Sequence, residues 1–145
     1  MTDVPGYRRL KVWQKTHQVA LDILVLVEAL PEKAGLKRII DQIIGSATSV
    51  GANIAEGSNS RSGKEYIRYL EIALRSATET DNWLQICKDS MVIKRYLDIE
   101  LLIRIEQSNI ETIKMLSKMI SSLKKMRIQE AETGYMVYES AEKYG

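Results

Sequence analysis

Leu36-Lys37-Arg38-Ile39-Ile40-Asp41-Gln42-Ile43-Ile44-Gly45-Ser46-Ala47-Thr48-Ser49-Val50-Gly51-Ala52-Asn53-Ile54-Ala55-Glu56-Gly57 is the stretch whose pattern fixes the fold class. Leu36, Ile40, Ile43, Ala47, Val50 and Ile54 recur every three or four residues, the repeat of an α-helix with one buried face. The far side of the same helix carries Gly45, Ser49, Ala52 and Glu56, with Asn53 beside them. At about 100° per residue these share one narrow sector pointing away from the apolar stripe. A solvated face is the ordinary fate of such a sector, but it is normally filled by Lys, Glu or Gln. Small residues here, including a glycine that costs a helix about 1 kcal/mol relative to Ala, admit another backbone at close range. A helix contact between subunits, with Asn53 and Glu56 hydrogen-bonded to a neighbour, is therefore favoured over a ligand pocket. Gly57 is the expected left-handed cap.

The rest of the chain follows the same period. A first helix is predicted over 9–29, after the Pro5-Gly6 break and before Pro31, which disfavours helical geometry at Leu30 and lacks a backbone donor. The second covers 36–56. Ser62 followed by Glu65 is a capping-box pattern that opens a third helix, 62–91, with Tyr66, Leu70, Ala73, Ala77, Leu84 and Cys87 inward. Asp98 is the expected N-cap of a fourth, 98–125, whose stripe runs Ile99, Leu102, Ile103, Ile110, Ile113, Leu116, Ile120 and Leu123. Residues 1–127 thus read as one all-α domain, an antiparallel up-down-up-down four-helix bundle. Residues 128–145 read as an acidic tail, mobile or weakly docked.

Composition agrees with this class. The 145 residues are 45% hydrophobic, enough for a core without disulfide or metal staples. The lone Cys87 has no intramolecular partner and no leader pattern opens the chain, so a cytoplasmic protein is expected. The longest apolar run, 19–30, contains Asp22 and Glu28 and falls short of the about 20 residues a membrane span needs. Ten of its twelve residues are apolar, more of the circumference than one bundle core can cover, which points to a homo-oligomer.

No catalytic constellation stands out. His17 and Cys87 are each the only residue of their type, the glycines lack a phosphate-loop setting, and the carboxylate pairs lack the Glu-x-x-His pattern of di-metal bundles. A non-enzyme with no cofactor and no metal is expected. The net charge of +2 divides unevenly: residues 1–127 hold 20 Lys/Arg against 15 Asp/Glu, and 128–145 hold one Lys against four Glu. Arg61, Lys64, Arg68 and Arg75 form one stripe of the third helix, and Arg8, Arg9, Lys11, Lys15, Lys124, Lys125 and Arg127 extend the set. Glu71 and Glu79 interleave with Arg75 in the manner of a salt-linked solvated face, so a single stripe is modest; an oligomer repeats it into a polyanion-attracting field. Trp13 suits core packing, the commoner fate of a helical Trp, or an interface anchor.

Leu10-Lys11-Val12-Trp13, Asn53-Ile54-Ala55-Glu56-Gly57, and Arg61, Ser62, Glu65, Tyr66 and Leu70 together resemble the 23S rRNA-intervening-sequence protein family of bacterial four-helix bundles. The resemblance implies a barrel-like homopentamer and association with nucleic acid, RNA or DNA. It also implies a relation to accessory proteins of diversity-generating retroelements, and hence, as an alternative, an adaptor that partners a reverse transcriptase. Relatives commonly carry basic residues after the glutamine matched by Gln42, where this chain has Ile43-Ile44-Gly45, and Gly51 stands at a frequent proline. Those departures move the expected nucleic-acid contact from the second helix to the third and to the helix ends.

Overall fold

Backbone breakers and caps set the corners of the chain. The computed structural model describes residues 3–133. Pro5 is followed by a single 3-10 turn, Gly6–Arg9, and α1 (Lys11–Glu28) begins after the buried Leu10. The Gln14 amide donates to the Arg8 carbonyl at 2.8 Å, tying the turn to the helix. Pro31 separates α1 from α2 (Ala34–Ser58) as expected, since it cannot donate to a continuing helix. α3 (Gly63–Asp89) opens at Ser62, whose hydroxyl accepts from the Glu65 N–H at 3.2 Å. The reciprocal arm of the capping box reaches Arg61, not Ser62: the Glu65 carboxylate accepts the Arg61 N–H at 3.1 Å.

α3 stops two residues short of its expected end, because Ser90 closes it and at once caps a short α4 (Met91–Lys94) by accepting the Ile93 N–H at 3.3 Å. Asp98 caps α5 (Ile99–Thr133), accepting from the Leu101 N–H at 3.2 Å. α5 runs well past the predicted 125, so residues 128–133 are helix; the remainder of the expected tail, 134–145, lies outside the described residues. Gly57 is not a left-handed cap. It is a buried residue inside α2, and the helix ends beyond it at Ser58, capped by Asn59.

The result is an all-α bundle in which α1 packs on α2 and α5, and α3 packs on α2 and α5. Its core has two apolar halves. Ile23, Leu26, Ile43, Leu84, Leu102 and Ile105 anchor one; Val12, Ile54, Tyr66, Leu70, Leu116 and Leu123 anchor the other. Between them each long helix contributes buried polar residues: Thr16 from α1, Ser46 from α2, Thr80 from α3, and Asn109 and Thr112 from α5. The Thr80 and Ser46 hydroxyls lie 2.9 Å apart, Ser76 donates to Ser49 at 3.0 Å, and the Asn109 amide donates to the Ala77 carbonyl at 2.9 Å. Buried polar groups need such partners, so this belt fixes how the helices slide against one another.

The belt changes the reading of α5. Its buried positions are Leu101, Leu102, Ile105, Asn109, Thr112, Leu116, Met119, Ile120 and Leu123, whereas Ile99, Ile103 and Ile110, expected inward, are exposed. The expected faces of α2 and α3 are inward, with Ile40 only half-buried.

Candidate nucleic-acid interface

Because α5 outlasts the end of α3 against which it packs, its last turns form one wall of a cleft whose other wall is the start of α3. The Ser62 cap fixes where that wall begins, and Gly63 is buried because Arg127 lies across it: an added Cβ would stand 3.2 Å from the guanidinium. The cleft measures about 940 Å³; Lys64 and Arg68 enter it from α3, and Lys124 and Arg127 from α5. Glu65 and Glu71 are its carboxylates, and Ile67, Ile128 and Ala131 make an apolar floor. A second, smaller groove of about 530 Å³ continues along α3 and α5, adding Arg75 and Lys125. The two share Glu71, Lys124 and Ile128.

A 3.5 Å ion pair between Lys124 and Glu71 spans the boundary of the two grooves. Both side chains are about half exposed, so the pair holds them weakly, at roughly 0–1 kcal/mol. Arg61 is exposed on the turn before α3 and does not line the cleft. Arg8, Arg9, Lys11 and Lys15 sit at the same end of the bundle, since Leu10 and Val12 pack in the same half of the core as Ile54, Tyr66 and Leu123. Arg9 donates to the Val4 carbonyl at 3.4 Å and Arg8 lies 5.9 Å from the Tyr7 ring centroid. Lys15 is engaged by Glu111, whose carboxyl it holds below the usual range by hydrogen bond and charge. All eleven basic candidates thus occur in one end of the molecule or the groove that leads from it. Several of these cations line an open, partly apolar trough.

The small-residue motif divides. Gly45, Ala52 and Glu56 are exposed, and the position of a Gly45 Cβ has open space around it. Ser49 and Asn53 are half-buried towards α3, with the Asn53 amide donating to the Ser49 carbonyl at 2.8 Å and hydroxyl at 3.0 Å. Trp13 is half-buried against Gly51, stacked on His17 with centroids 4.6 Å apart and edge-on to Tyr7. A groove of about 300 Å³ separates this aromatic set, with Leu21 and Leu24, from Gly51, Ala52 and Ala55. Within 19–30, five apolar residues face the core while Leu21, Leu24 and Val25 are 43%, 45% and 60% exposed. Cys87 is buried and its thiol is pushed up to about 11 by desolvation, which leaves it a core side chain.

Apolar periodicity alone reveals neither the cleft's apolar floor nor the polar belt. The floor depends on α5 continuing to Thr133, and the belt on reading Asn109 and Thr112 as inward despite their polarity. The spacing of three and four through Leu102, Ile105, Asn109, Thr112 and Leu116 was the available signal.

Residues 8–127 match the family described as 23S rRNA-intervening sequence protein. Among solved structures, one from Bacteroides thetaiotaomicron, described as a protein with unknown function from the S23 ribosomal protein family, is 31% identical. The alignment covers 75% of this chain and 97% of that one, with a TM-score of 0.64. No curated protein matches. Among the described residues no helix is long and apolar enough to cross a membrane.

Proposed function

This chain belongs to the 23S rRNA-intervening sequence protein family, and on that premise we propose that it is a non-enzymatic, cytoplasmic scaffold that associates with nucleic acid. Copies of an up-down-up-down four-helix bundle assemble as a homo-oligomer, a pentamer by family resemblance, and present basic clefts to a phosphate backbone. The observation that carries the reading is the convergence of Lys64 and Arg68 from α3 with Lys124 and Arg127 from α5 in one trough. The family's description, which links it to sequences intervening in 23S rRNA, supports the same chemistry. Self-association is supported by the exposed Leu21 and Leu24 beside the small-residue wall of α2, and by the exposed Val25 next to Leu24 in α1. Repetition of the cleft by symmetry then adds modest fields into one that attracts polyanions.

Titration of a labelled single-stranded RNA or DNA against the protein at several salt concentrations tests this. Log affinity should fall linearly with log salt, at roughly −0.7 per neutralised phosphate for a single strand. Arg68→Glu with Lys124→Glu should weaken binding roughly tenfold or more, uniformly across sequences. Absence of binding by the oligomer at low salt rejects the reading.

A second reading, a protein–protein adaptor such as the accessory subunit of a reverse transcriptase, has its support at the opposite end. There Met91 and Val92 on α4 are 75% and 55% exposed, with Ile86 nearby. A protein partner retained after nuclease treatment selects it.

A further inference from the structure

Charge alone does not account for the cleft. Its two basic walls, Lys64 and Arg68 on α3 and Lys124 and Arg127 on α5, flank an apolar strip of Ile67, Ile128 and Ala131. Ile128 is 60% exposed one turn beyond Lys124, at a position where a solvated helix face ordinarily holds Lys, Glu or Gln. A phosphate gains nothing from an isoleucine, so the strip suits an uncharged, weakly hydrated part of the same ligand, and in a nucleic acid that part is the face of a base. We propose, resting on the nucleic-acid reading above, that the cleft takes single-stranded in preference to double-stranded nucleic acid. An unpaired base lies on the apolar strip, and the phosphates on either side of it meet the cations of the two walls.

Strand state follows from what each ligand can present. In a duplex the bases are paired and stacked inside a cylinder of phosphates, so it offers the cleft charge but no base face until a nucleotide is unstacked and unpaired. A single strand offers both without that cost. A volume of about 940 Å³ is that of a site enclosing one small molecule, at the upper end of about 300–1,000 Å³. The adjoining groove then carries the backbone past Arg75 and Lys125, so that the α3 wall runs about 16 Å from Lys64 to Arg75. Together the two grooves hold six cations and two carboxylates. Both carboxylates are engaged within the chain, Glu65 by the Arg61 N–H at 3.1 Å and Glu71 by Lys124 at 3.5 Å. An aliphatic strip carries no hydrogen-bonding group to read a base edge, so the preference is for strand state and not for sequence.

The test measures binding of the full chain at one low salt concentration to four probes: an oligothymidine strand, the same strand annealed to oligoadenosine, a strand of equal length built of abasic nucleotides, and poly-glutamate of equal charge. Electrostatics alone ranks the duplex first, because its phosphates are the more densely spaced. The expected order is the reverse, with the single strand ahead of the duplex and of the abasic strand by roughly fivefold each. Ile128→Ser, at an exposed position, should weaken the single strand by a similar factor and leave the duplex unchanged, whereas Arg68→Glu with Lys124→Glu should weaken both. Ile128→Trp, which supplies a stacking surface, should tighten the single strand. A duplex or abasic strand that binds as tightly as the single strand overturns the base contact while the nucleic-acid reading stands, and so does an Ile128→Ser that weakens strand and duplex alike. Poly-glutamate binding as tightly as the strand overturns it in favour of an acidic peptide. No binding by any nucleic-acid probe removes the nucleic-acid reading itself, and the strand preference with it.

Discussion

Two glycines of α2 have opposite consequences, and magnitudes separate them. An Ala is worth about 1 kcal/mol over Gly in a helix interior. At Gly45 an added Cβ has nothing within 4 Å, so Gly45→Ala should raise stability by up to that amount. At Gly57 the same atom would stand 3.0 Å from the Tyr66 ring and 3.0 Å from the Tyr69 Cβ. A ring can turn, but a Cβ moves only with its backbone, so α3 itself must shift, and overpacking of this kind costs about 1–3 kcal/mol. Gly57→Ala should therefore be destabilising despite its better helix propensity. Denaturant unfolding of both variants decides it: equal stabilisation would mean that α2 and α3 are not in contact at Gly57. A Gly45→Ala that unfolds more easily and also lowers the molar mass would place a second copy against that residue.

At the level of helices, the pairing of α3 with α5 is marked by Glu106. Its carboxylate accepts hydrogen bonds from Gln85 and, at 3.1 Å, from Lys88. The Gln85 bond foremost, then the Lys88 hydrogen bond and charge, outweigh the opposing effect of burial and hold the carboxyl below its ordinary 4.5. A lowered folded value means that the ionised form stabilises the native state. The contribution is complete above the ordinary value and disappears as pH falls through the folded one. Glu106→Gln should therefore unfold more easily than the wild type at neutral pH, by on the order of 1 kcal/mol, with the gap closing in acid. A gap independent of pH would show that the carboxylate's charge is immaterial. The same pair of helices shows what was legible in the chain. The stripes of α2 and α3 could be counted because nearly every inward residue is apolar. α5 could not, because Asn109 and Thr112 sit in its inward seam while Ile99, Ile103 and Ile110 face out. Each basic residue of the site was visible individually; the cleft was not, since it exists only where α5 extends beside the start of α3.

For the molecule as a whole, surface chemistry is the deciding quantity. One end gathers the cations, and the α1–α2 side exposes Leu21 and Leu24 beside Gly51, Ala52 and Ala55. Apolar surface of this kind is removed from water when copies associate. Leu21→Glu with Leu24→Glu should leave the fold intact, since substitutions at exposed positions usually change stability by less than about 0.5 kcal/mol per site. Between copies the same change buries unpaired carboxylates, which an interface does not tolerate. Light scattering should show the wild type as an oligomer and the variant as a monomer of unchanged helicity by circular dichroism. Affinity for RNA should fall with assembly although no basic residue was altered, because a monomer offers one cleft where the oligomer engages a strand through several. A wild type that is monomeric at micromolar concentration would remove the assembly. A monomeric variant that binds RNA as tightly as the oligomer would show that each cleft acts alone.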